Sequence, residues 1–130
     1  MKARRWGIVR LAFLICVSSA CDHETGPDCI PRPCPAPPIA IMASVTSSAG
    51  GPVSGLTLTL SGAMSGSGQC TAGQSTTECV VRGTPGTYNL QFTAAGFQDK
   101  TLGVVVPGST RPCGCTSVQI QLVTVVLTPR

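Results

Sequence analysis

The chain predicts an all-β domain of about seven strands in roughly 90 residues, the dimensions of a two-sheet sandwich. Three observations predict it. Apolar and polar residues alternate with a period of two in several short stretches from residue 39 onward. Glycine and proline clusters separate those stretches. Nowhere after residue 21 do apolar residues recur at the 3.6-residue spacing of an amphipathic helix.

The first element is an address. Lys2, Arg4 and Arg5 form a positive start, residues 11–17 (LAFLICV) an apolar run, and Ser18, Ser19 and Ala20 follow. That order predicts a secretory signal peptide over residues 1–20. A membrane-spanning helix would need about 20 apolar residues, and Arg10 interrupts this stretch. Val17-Ser18-Ser19-Ala20-Cys21 resembles a bacterial lipobox, where a lipoprotein is cut and its new terminal cysteine is acylated. The resemblance implies lipidation at Cys21 and attachment to a membrane of the cell envelope without a spanning helix. Several acyl chains anchor stably where one holds only marginally. The family usually carries Leu where Ser18 stands, which keeps open an ordinary secreted protein cut near Ala20. Asp22 resembles an inner-membrane retention signal of some bacteria, so inner and outer membrane both stay open.

Residues 21–38 read as a tether. Six of the eleven prolines (Pro27, Pro31, Pro33, Pro35, Pro37 and Pro38) lie here, so neither a helix nor a central strand can form. A polyproline II spacer rising about 3.1 Å per residue is the expected state. Cys29 and Cys34 are expected to close a local loop within it.

The β domain fills residues 39–130. Ile39, Ile41, Ala43 and Val45 share one face of a first strand. Leu56, Leu58 and Leu60 alternate with threonines; Tyr88, Leu90 and Phe92 oppose Asn89 and Gln91. Residues 102–106 are a denser apolar run. Turn chemistry stands at residues 50–52, 66–68, 83–86 and 107–108. The last strand changes phase: its apolar set sits at Val118, Ile120 and Leu122, then at Val123, Val125 and Leu127. A regular strand cannot bury both halves, so either a bulge near residues 122–123 or cover on both faces is expected.

The chain has 8 cysteines. Cys16 leaves with the signal peptide and Cys21 would carry lipid. Cys29, Cys34, Cys70, Cys79, Cys113 and Cys115 remain as disulfide candidates, an even number that allows fifteen pairings. Cys70 and Cys79 flank a polar stretch and suit a hairpin staple, or they receive Cys113 and Cys115. Within an extended strand the Cβ atoms of Cys113 and Cys115 are too distant to bond to each other, so the chain turns at Gly114 or each pairs elsewhere. A structural zinc site would need four of these sulfurs; the spacing is wrong for a knuckle, and exported thiols are oxidised.

Val45-Thr46, Gly51-Pro52-Val53-Ser54-Gly55-Leu56-Thr57-Leu58, Gly86-Thr87-Tyr88-Asn89-Leu90 and Ala95-Gly96-Phe97 follow in an order that resembles the carboxypeptidase regulatory-like domain, a transthyretin-like (prealbumin-type) sandwich. The resemblance covers residues 39–127. It implies a seven-stranded Greek key without peptidase activity; the zinc-binding catalytic part found beside such domains has no counterpart here. Tyr88 is expected to bury its ring and bond its hydroxyl to a loop, as a tyrosine corner does. Gly96-Phe97 should place an aromatic after a tight turn at one end of the core.

Composition narrows function. Lys2, Arg4, Arg5 and Arg10 account for four of the 9 basic residues; from residue 21 onward five basic residues meet five acidic ones. No basic stripe remains for nucleic acid. His23, the one histidine, lies in the tether, where glycine and proline neighbours cannot hold a catalytic base. A hydroxyisourate hydrolase family shares the transthyretin-like fold but needs domain histidines. Glu78 and Asp99 are the only domain carboxylates, too few for a calcium site. Tyr88 and Phe92 fall on the buried phase, which leaves Phe97 alone as a sugar platform. The expectation is a non-enzymatic module without cofactor or metal, held to the membrane by an N-terminal lipid, with a structural role or an envelope protein as partner. The alternative is a secreted or periplasmic carrier of a small apolar ligand between the sheets.

Overall fold

A computed structural model describes residues 33–110 and 114–130. The leader, most of the tether with Cys21 and Cys29, and Cys113 lie outside the described residues. Among the described residues nine strands occur: β1 (Ile39–Ser47), β2 (Thr57–Gly62), β3 (Gly66–Ala72), β4 (Thr77–Arg82), β5 (Gly86–Thr93), β6 (Lys100–Val106), β7 (Gly108–Ser109), β8 (Ser117–Val118) and β9 (Gln121–Leu127). The all-β expectation holds among the described residues.

Seven strands form one sheet in the order β6-β5-β2-β3-β4-β1-β9, and the short β7 and β8 pair with each other. Every pairing is antiparallel except β1 with β9. The sheet wraps until its edge strands β6 and β9 come alongside each other, so it is nearly closed. Closure is sealed at one end. There Phe97 bridges Pro129, Gln98 N–H donates to the Thr128 carbonyl (2.9 Å) and Arg130 N–H to the Gly96 carbonyl (2.9 Å).

The alternating residues become the interior. Ile41, Ala43, Val45, Leu58, Leu60, Cys79, Val81, Tyr88, Leu90, Phe92, Val125 and Leu127 are buried together. Burial of this apolar surface, at about 25 cal/mol per Å², is the main force that closes the sheet. The 50–52 turn forms as expected: Gly50 and Gly51 take positive φ, and Ser47 N–H donates to the Gly51 carbonyl (3.0 Å). Gly96, with φ +81°, makes the turn before Phe97, whose ring packs on the core.

Three local expectations are corrected. Neither the bulge near residues 122–123 nor the alternative of cover on both faces occurs. The strand breaks at residues 119–120 instead; β9 keeps the 123, 125 and 127 phase inward and leaves Ile120 and Leu122 exposed. An irregular register occurs in β1 between Ile39 and Ile41, which turns Ala40 inward and leaves Ile39 half-buried. Residues 66–68, read as a turn, open β3. Gly68 packs there against Leu58, where an added Cβ would lie 2.6 Å from Leu58 Cδ2.

Candidate functional site

The tether, the β4–β5 loop and the excursion between β6 and β9 gather at one end of the sheet. β1 and β9 both start there, since Met42 lies beside Leu122, and β4 ends there, since Ile39 pairs with Arg82. Three residues join Arg82 to Gly86, and Gly86 pairs with Val106, so the start of β5 and the end of β6 share this end. Here the tether enters. Arg82 Nη1 donates to the Pro37 carbonyl (3.2 Å), and Gly83 N–H to the Pro38 carbonyl (3.0 Å).

The tether is also fixed covalently. Cys34 is bonded to Cys115, across 81 residues of sequence, with Cα atoms 5.3 Å apart. The local Cys29–Cys34 loop expected from sequence is therefore corrected. Cys115 lies just before β8, in the excursion that leaves β6 at Pro107 and returns to β9. Within that excursion Gln119 N–H donates to the Pro107 carbonyl (2.8 Å), and the Ser109 and Ser117 hydroxyls meet at 3.1 Å. A cysteine two residues from another cannot reach it in extended chain; Cys115 resolves this by reaching a distant partner.

The second disulfide joins Cys70 and Cys79, directly paired residues of β3 and β4. This is the hairpin staple. Cys79 is fully buried, whereas Cys34 and Cys115 are exposed. Two disulfides in one small domain mark an oxidising, extracytoplasmic environment.

Polar groups of the domain are engaged structurally. The Tyr88 hydroxyl donates to the Thr84 carbonyl (2.7 Å) and accepts from Thr84 N–H (3.1 Å) while its ring is buried. Thr77 Oγ1 donates to the Val53 carbonyl (2.9 Å) and accepts from Val53 N–H (3.0 Å), pinning the β1–β2 loop to β4. The Glu78 carboxylate accepts from the Ser44 and Thr76 hydroxyls on the outer face. Asp99 pairs with Arg130 at 3.1 Å, at the sealed end. The two carboxylates thus serve separate contacts. Among the described residues no group of three His, Cys, Asp or Glu converges as metal ligands would, and no buried polar side-chain atom lacks a partner. Sequence reasoning missed Thr77 as the latch of the β1–β2 loop, since its pairing opposite Val45 of β1 is set only by the fold.

Compared with protein-family models, curated proteins and solved structures, the chain matches none of them.

Proposed function

We propose that the chain is a non-catalytic, lipid-anchored module of the cell envelope. In this reading it is a Greek-key sandwich of the carboxypeptidase regulatory-like kind with a structural or protein-interaction role. The Cys34–Cys115 disulfide carries the reading. The bond is one of an exported protein, and it fastens the proline-rich segment to the domain at Cys34, which suits a load carried from an attachment at Cys21. The order β5-β2-β3-β4 supports the Greek key, since three successive neighbours are followed by a fourth strand beside the first. Fully buried Tyr88, Phe92, Ile41, Leu58 and Leu90 fill the interior that a ligand carrier would keep open.

The Cys21→Ser variant tests it. In the producing cell the wild-type protein should sediment with membranes and leave them only in detergent, and Cys21→Ser should become soluble. Wild-type protein recovered wholly soluble would contradict the anchor.

A further inference from the structure

Four large apolar side chains are conspicuously exposed among the described residues: Val105 (63%), Ile120 (51%), Leu122 (80%) and Val126 (43%). Three of them are at the tether end. Val105 is next to last in β6, Leu122 is second in β9, the strand that meets β6 at the seam, and Ile120 lies in the break just before β9. Leu122 stands beside half-buried Met42, which in turn pairs with half-buried Val80, so the apolar row continues across β1 onto β4. Water-exposed side chains this apolar, gathered at one end of a small domain, mark a surface that meets something.

We propose that this end docks on the lipid surface, with Val105, Ile120 and Leu122 entering the headgroup boundary. The inference rests on the anchoring reading above. Its occupant is set by where the chain outside the structure leads. Cys21 precedes Cys34 by 34 − 21 = 13 residues, a reach of roughly 40 Å at ~3.1 Å per residue. The Cys34–Cys115 bond ends the free tether at Cys34 instead of Ile39 and puts its exit beside the excursion that carries Ile120. An anchor at Cys21 therefore keeps this end of the domain within about 40 Å of the bilayer. Tethering also holds the domain at high local concentration, so a shallow, individually weak contact stays populated.

The test uses the mature lipidated protein, which has no tryptophan of its own because Trp6 lies in the leader. Leu122→Trp places a probe in the patch. Val126→Trp places one on the same face of the same strand, 126 − 122 = 4 residues away, about 13 Å toward the sealed end. Both replace exposed side chains. Each is reconstituted in phosphatidylethanolamine/phosphatidylglycerol vesicles with brominated acyl chains, and acylation of Cys21 is read by mass. Bromine should quench Leu122→Trp about twofold and leave Val126→Trp nearly unchanged, since interfacial contacts bury only ~5–10 Å. Acylated protein with Leu122→Trp unquenched overturns the docking and leaves the anchor standing. Cys21 without acyl mass overturns both. A blue shift without quenching that fades as protein is diluted in lipid assigns the patch to a second copy and overturns the lipid surface.

Discussion

Tyr88 and Thr77 hold the fold by the same device, a buried side chain whose oxygen serves both the N–H and the carbonyl of one loop residue. Removing the Tyr88 hydroxyl strands Thr84. We predict that Tyr88→Phe lowers unfolding free energy by about 1–2 kcal/mol, read as a lower urea midpoint at unchanged slope. Thr77 sits deeper, and Thr77→Val keeps its shape while leaving both polar groups of Val53 unpartnered in the interior. The expected loss is about 2–3 kcal/mol, mostly recovered in Thr77→Ser. Gly62 has a backbone reason instead: its φ is +105°, and a Cβ there would lie 2.3 Å from the Thr87 carbonyl oxygen. Gly62→Ala should therefore cost at least ~2 kcal/mol. Tyr88 was legible in the sequence because the alternation Tyr88-Asn89-Leu90-Gln91-Phe92 puts it inside and loop residues precede it. Thr77 was not, since nothing in its own neighbourhood says that Val53 needs a partner 24 residues away.

Strands whose residues alternate large apolar with polar were readable: β1 from Ile41 onward, β2 through Leu58 and Leu60, and β5 place the anticipated side chains in the core. β3 was hidden because its inner positions carry Gly68 and Cys70. Gly68 is small to make room for Leu58, which makes a strand look like a turn. The last strand misled for the opposite reason. Its 118–122 half alternates well but spends Ile120 and Leu122 on the outside, and periodicity alone cannot say which phase of two is buried. The β3–β4 hairpin, joined through Gly73 N–H to the Thr76 carbonyl (2.8 Å), depends on its staple because β3 buries so little. Replacing Cys70 and Cys79 together by Ala should cost about 2–3 kcal/mol and, in hydrogen exchange, should speed β3 amides well before those of β5.

At the scale of the molecule the two disulfides differ. One closes a loop of 9 residues within a hairpin, and the other spans 81 and encloses nearly the whole domain. If a cross-link acts chiefly on the unfolded chain, the longer loop contributes about 4 kcal/mol and the shorter about 2–3. The Cys34→Ala/Cys115→Ala pair should then unfold at lower urea than the Cys70→Ala/Cys79→Ala pair, although Cys34 and Cys115 are the exposed ones. This pairing could not be read from spacing: six candidates allowed fifteen arrangements, and only the fold brings the tether beside the excursion before β8. The same bond joins the end of the tether, from Cys34 on, to the domain, and in the proposed reading it sets the end of the domain from which the anchor would lead. The intact mass of protein extracted from the membranes of the producing cell, alkylated before any reduction, tests that account most directly. It predicts residues 21–130 plus the mass of acyl chains, with Cys34, Cys70, Cys79 and Cys115 unalkylated until reductant is added. A product of residues 1–130, or one in which Cys21 takes up alkylating reagent, would contradict it.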